Sequence, residues 1–396
     1  MVVNPFVGVI FHWLGGASAA SFYVPYKRLK RWSWEVYWLT GGAISWVVAP
    51  WVFAALRTHD LVAVLHATPS GTIFWCYFWG AMWGLGSIAF GLTMRYLGLS
   101  LGMAVALGLT TVIGTLGPPL FRGKVGELAL TSSGQATFAG IALAVAGMLI
   151  VARAGQAKER ELGASVATPS LAEFDLRKGL LLAVFSGVFS SCFAFGLDAG
   201  QPIRELAVAA GTGQLSRGLP VLCVVLAGGF TTNCLWCLGM IVRNHSAGEF
   251  TGRARAVSAG HEGSTPLLRN YALCALAGIL WYLQFFFYTM GESQMGRFGF
   301  SSWTLHMASI ILFSTLWGFA LGEWITSSRR TRAMVWIGIT TLVSATIVIG
   351  GGNYLASRQR SGTAVITVPA GRAHLRKGLA ERRYNSAINT RVPTAS

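Results

Sequence analysis

Apolar residues in this chain gather into long unbroken runs. They do not alternate every second position, as in a half-buried strand, or recur every third and fourth, as on a surface helix. Ten runs follow one another, roughly at 5–24, 37–56, 72–94, 98–120, 135–152, 179–200, 219–242, 268–290, 302–322 and 333–353. Each is close to the twenty or so residues that a helix needs to cross a hydrocarbon core about 30 Å thick. Inside lipid a segment must satisfy its own backbone hydrogen bonds, so runs of this length are helices. The pattern predicts an all-α polytopic membrane protein with about ten transmembrane helices.

The ten fall into two sets of five. Gly8, Gly16 and Phe22 align with Gly179, Gly187 and Phe193 at one spacing, and Trp83 and Gly140 with Trp281 and Gly338 at a longer one. An odd number of spans per half starts the second half from the opposite face. That makes a five-plus-five inverted repeat, the arrangement that lets transporters alternate access around a midplane site. The expected limits are 1–153 for the first repeat, 154–178 for a charged linker, 179–356 for the second repeat and 357–396 for a basic tail. The tail, with Arg372, Arg376, Lys377, Arg382 and Arg383, reads as solvated and disordered, with adsorption to anionic lipid as the alternative. Small residues four apart, Gly80/Gly84, Gly98/Gly102 and Gly318/Gly322, predict close helix packing.

Composition sharpens this picture. The chain has 396 residues, 53% hydrophobic and 11% charged, with a mean hydropathy of +0.55. A soluble domain carries about a quarter of its residues as charges, so a soluble enzyme is excluded. The net charge of +17 would suit nucleic acid, but its placement argues against that partner. Lys27, Arg28, Lys30 and Arg31, then Arg153, Lys158 and Arg160, and later Arg329, Arg330 and Arg332 all sit beside helix ends. Loops after odd-numbered helices, with Arg269 at the very start of the eighth run, hold 17 of the 31 Lys and Arg and those after even-numbered helices hold 6. Positive loops stay in the cytoplasm, which places both termini outside; the basic tail runs against that rule. All six cysteines fall inside spans, so Cys234 and Cys237 read as small buried hydrophobes.

Polar groups inside spans are costly and mark function. The eighth helix carries Trp281, Gln284, Phe285, Tyr288 and Glu292 on one stripe, and the ninth carries Ser302, His306, Ser309 and Phe313. The first helix aligns His12, Gly16, Ala19 and Tyr23, and the third aligns Trp83, Ser87 and Phe90. Aromatic faces with neutral hydrogen-bonding groups suit a neutral polyol. The candidate substrate-binding residues are His12, Trp83, Ser87, Trp281, Gln284, Tyr288, Ser302 and His306; the candidates for proton coupling are His12, His306, Asp198 and Glu292. Pairing with Arg204, Arg297 or Arg329, or helix-end hydration, is the alternative for the two carboxylates and for Glu323. Trp32, Trp34, Trp38, Trp324 and Trp336 read as interfacial belts. Gly98-Leu-Ser-Leu-Gly102 opens an apolar helix rather than following a strand, and His261-Glu262 lacks a second histidine, so neither is enzyme machinery. No metal or cofactor site is expected.

Several runs resemble the bacterial L-rhamnose–proton symporter family of the drug/metabolite transporter superfamily. They are Phe11-His-Trp-Leu-Gly-Gly-Ala-Ser-Ala-Ala-Ser-Phe-Tyr23, Gly80-Ala-Met-Trp-Gly-Leu-Gly86, Gly91-Leu-Thr-Met-Arg-Tyr-Leu-Gly98, Trp281-Tyr-Leu-Gln-Phe-Phe-Phe-Tyr288 and Ser302-Trp-Thr-Leu-His-Met307. The resemblance implies ten helices in inverted repeats, a multi-pass place in the bacterial inner membrane, and symport of L-rhamnose or a related deoxy-sugar with protons. It also implies a site among helices 1, 3, 4, 6, 8 and 9. Ser87-Ile-Ala89 lacks the asparagines associated with this part of the family, and the tail exceeds its usual end. Transport of another small metabolite, or a membrane sugar sensor or scaffold, are the alternative functions.

Overall fold

The computed structural model describes residues 4–97, 99–163, 176–253, 265–322 and 324–366. Gly98, His261, Glu262, Glu323, the middle of the expected linker and the tail from 367 lie outside the described residues. The long helices are α1 (Pro5–Ser21), α2 (Trp34–Arg57), α3 (Ser70–Leu97), α4 (Leu99–Phe121), α5 (Ser132–Gly163), α6 (Leu176–Ala199), α7 (Leu219–Asn244), α8 (Leu267–Gln294), α9 (Ser302–Ala320) and α10 (Arg329–Ile366). Among the described residues, nine helices are long and apolar enough to cross a membrane, and α4 adds a shorter apolar stretch, Ala106–Phe121. The chain is an all-helical, multi-pass membrane protein. It divides into two compact units, Met1–Tyr354 and Leu355–Ser396; in the second, residues 355–366 are helical.

Local chemistry explains the helix ends. Asn4 Oδ1 accepts the Phe6 N–H at 3.1 Å, and Pro5, with no N–H to lose, opens α1. His245 ends α7 in the left-handed region at φ 52°. Gly322 follows α9 at φ +75°, so the second member of the Gly318/Gly322 pair terminates the helix rather than packing it. In α2, Pro50 cannot donate to the Trp46 carbonyl. Just before it the helix widens into one π turn, Ile44–Val48, with Ala49 N–H bonded to Ile44 O.

In the first unit α1 lies against α8 and α9, and α6 lies against α3 and α4; α7 packs on α3 and α2, and α2 also reaches α8. Glycines permit the closest approaches. A Cβ at Gly80 would collide with the Val225 carbonyl of α7, one at Gly228 with the Tyr77 carbonyl of α3, and one at Gly86 with Ser190 of α6. Outward faces are apolar: Leu56, Leu181, Leu235 and Ile347 are exposed, as lipid contact requires. Trp34 and Trp336 are exposed, consistent with a belt position. Trp32 and Trp324 are buried, and Trp38 packs on Trp46 and Trp281. For these three the belt assignment is corrected: Trp32 and Trp324 lie in connecting segments that fold back onto Tyr271 and Phe319, and Trp38 sits on the face of α2 that meets protein, neither of which hydropathy reveals.

Candidate functional site

The contact of α1 with α8 and α9 creates the most polar part of the core. His12 of α1, Gln284 and Tyr288 of α8, and His306 of α9 meet there, all 5% exposed or less. The His12 and Tyr288 rings are 5.4 Å apart, Tyr288 and His306 5.3 Å, and the two imidazoles 6.2 Å. His306 Nε2 lies 3.4 Å from Gln284 Oε1; a carboxamide oxygen only accepts, so the two bond in the tautomer that carries the proton on Nε2. Among the described residues, both nitrogens of His12, Nδ1 of His306 and Nε2 of Gln284 have no partner. A buried polar group without a partner costs about 1–3 kcal/mol, and four in one cluster mark a site built for something other than stability.

Glycine geometry lets the cluster form. A Cβ at Gly291 would stand 2.7 Å from His12 Nε2, and one at Gly15 3.1 Å from the His306 ring. A Cβ at Gly16 would sit 2.6 Å from Ser309, whose hydroxyl lies 2.9 Å from His12 O and 2.8 Å from Leu305 O in its own helix. Ser302, one turn before His306, is fully buried with an unpartnered Oγ. Trp303 closes the α4 side, its Nε1 donating to Thr110 O at 3.0 Å, and Thr115 and Thr304 share a 2.7 Å hydroxyl contact.

Trp281, one turn along α8 from Gln284, faces a different wall. It lines a small pocket with Phe22, Tyr26, Trp38, Ser45 and Trp46 over a floor of Gly41, Gly42 and Gly278. Trp83 packs on Trp46, Phe193 and Phe285 at 5.8, 5.1 and 5.7 Å, so it backs this pocket through its neighbours. Ser87 sits beside Asn233 of α7, with 3.3 Å between Asn233 Nδ2 and Ser87 Oγ, and Asn233 Oδ1 is 3.5 Å from Trp38 Nε1. Asn233 of α7 thus sets a carboxamide beside Ser87 of α3.

The remaining two candidates are held in ion pairs beyond Tyr288. Asp198 pairs with Arg122 at 2.9 Å and Glu292 with Arg204 at 3.2 Å, both at one end of the bundle. Arg204 was an expected partner; Arg122 was not, because nothing in sequence spacing relates the α4–α5 loop to the end of α6. Sequence reasoning also missed Trp38, Ser45, Trp46 and Asn233. Asn233 carried a usable signal, a carboxamide in the middle of an apolar run; the α2 residues did not, since tryptophan reads equally as belt or lining. Among the described residues no cluster of metal-ligating side chains occurs.

Apolar helices facing lipid around a buried cluster of imidazole, amide and hydroxyl groups define a membrane transporter rather than an enzyme. The family is specific: the model for the L-rhamnose-proton symport protein (RhaT) matches residues 1–355, and the chain belongs to that family. It is similar to the L-rhamnose-proton symporter of Cronobacter sakazakii, 39% identical over 348 residues that cover 87% of this chain and 97% of that protein. The L-rhamnose-proton symporters of Klebsiella pneumoniae and Salmonella gallinarum are each 38% identical with the same coverage.

Proposed function

We propose that the protein imports L-rhamnose, or a closely related deoxy-sugar, together with protons across the bacterial cytoplasmic membrane by alternating access. The observation that carries this reading is the unpartnered His12, Gln284 and His306 cluster in a chain that belongs to this symporter family along residues 1–355. Gln284, Tyr288, Trp281 and Ser302 offer donors, acceptors and ring faces to a neutral sugar, with Ser87 and Trp83 behind them. His12 and His306 carry the proton, since an imidazole titrates near pH 6.5 when hydrated and the arrival of a hydroxyl-rich ligand changes its surroundings. Asp198 and Glu292 act as ion-pair partners that tie one end of the bundle.

Two features support ten spans in a five-plus-five inverted repeat. The first is packing: the first helix of each half lies on the third and fourth of the other, as exchange about a two-fold axis requires. The second is loop parity. After odd-numbered helices, Asn270 bonds both backbone groups of Lys30, Asn244 and Ser246 donate to Glu35, and Glu161 meets Ser328 and Thr331. At the other end, His59 N–H donates to Thr212, Arg122 meets Asp198 and Gln201, and Asn4 N–H donates to Gln294. Like meets like only if α4 also crosses. With odd loops cytoplasmic, these two sets of ties are the contacts that opening to either side must break.

The test is the external pH of lightly buffered, de-energised cells expressing the protein as L-rhamnose is added. Alkalinisation with L-rhamnose and none with D-glucose is expected. The absence of both a pH change and entry of labelled L-rhamnose would overturn the reading.

A further inference from the structure

The pocket beside Trp281 lies on α2, outside the helices that the family resemblance assigns to the site. Ser45 is 1% exposed and Trp46 3%; Ser45 Oγ, Trp46 Nε1 and Trp281 Nε1 are all buried without a partner among the described residues. These three polar atoms belong to residues that line one small space. The π turn, with Pro50 close behind it, changes the register of α2 at these residues, and such turns recur at functional sites. Gly41, Gly42 and Gly278 keep the floor free of side chains: a Cβ at Gly278 would lie 2.6 Å from Gly41 O. The lining holds no charged group, so it suits neither an acid nor an amine. The pocket is small, and the Phe22 and Trp281 rings that line it are 4.1 Å apart.

Building on the sugar-transport reading above, we propose that α2 supplies the second wall of the sugar site. Ser45 and Trp46 hydrogen-bond hydroxyls of a neutral monosaccharide whose C–H face lies on Trp281, and the sugar enters by displacing Phe22 from that ring. Gln284, one turn further along α8, reaches the same ligand from the imidazole side. Trp38, held by Asn233, is a positioning residue for the aromatic wall. Specificity for a neutral sugar then arises where α2 and α8 face each other, not in the histidine cluster alone.

The experiment uses the full chain in lipid nanodiscs and measures sugar binding by calorimetry at fixed pH. L-rhamnose, L-fucose, L-lyxose, L-mannose and D-glucose are the ligands. The variants are Ser45→Ala, which removes one oxygen, and Trp46→Phe, which removes the Nε1 donor with part of the ring; Trp336→Phe at an exposed tryptophan is the control for the ring change and melting temperature the check on folding. Loss of a hydrogen bond to a buried hydroxyl is worth about 1–3 kcal/mol, so each variant should bind the preferred sugar ten- to a hundredfold more weakly while Trp336→Phe binds as wild type. If wild type binds a sugar and folded Ser45→Ala and Trp46→Phe bind it equally well, the α2 wall is wrong and the transport reading stands. If wild type binds none of the five, both fall.

Discussion

Gln284 is the residue on which the proposed site turns: its Oε1 lies 3.4 Å from His306 Nε2, and its Nε2 has no partner among the described residues. Gln284→Ala should weaken sugar binding ten- to a hundredfold while leaving the protein inserted and monodisperse; calorimetry on purified protein checks this, and unchanged affinity removes Gln284 from the site. The double variant His12→Gln, His306→Gln should still bind sugar but lose coupling, so that added sugar no longer alkalinises the medium; retained pH-dependent uptake would clear both histidines. Spacing on α8 and α9 made Gln284, Tyr288 and His306 legible, because i, i+3, i+4 positions share a helix face. That His12 faces them was not legible, since it depends on Gly15, Gly16 and Gly291 admitting α1 to that contact.

Elements pack here through missing side chains. Gly80 brings α3 against the α7 backbone, so Gly80→Leu should destabilise by about 1–3 kcal/mol or more through overpacking, seen as a lower melting temperature in detergent. Helix starts are held across chain distance as well. Glu161 at the end of α5 accepts from Ser328 N–H and Oγ and from Thr331 Oγ, ahead of α10. These hydrogen bonds, that from Ser328 foremost, hold its carboxyl below the ordinary value. A depressed folded value means that the stabilisation is fully present above the unfolded carboxylate range near 4.3 and is lost as pH falls through the folded value. Glu161→Gln should therefore melt below wild type at neutral pH, and the gap should close on acidification below about pH 5; a gap independent of pH would remove the charge from the explanation. The existence of the helices was readable from hydropathy, whereas this cap was not, because its partners are far apart in sequence.

For the molecule as a whole, parity gives the sharpest test. Single cysteines at Arg28, exposed in the first odd loop, and Arg330, exposed in the first turn of α10 after the last odd loop, and at His59 and Lys124, both exposed in even loops, should label with an impermeant maleimide from opposite faces of the membrane. A mixed pattern within either pair would break the ten-span reading. Sequence alone determined that the chain lives in a membrane, that it is helical and which family it joins, because lipid leaves an apolar run of twenty residues no other way to satisfy its backbone. It also marked which residues on a given helix share a face. Tertiary structure alone decided which faces meet: that α7 places Asn233 beside Ser87, that α2 turns Ser45 and Trp46 inward, and that Asp198 and Glu292 are tied to arginines at one end of the bundle. The physical reason is that hydropathy is blind to direction around a helix, while packing is settled by the glycines and prolines that let two backbones touch.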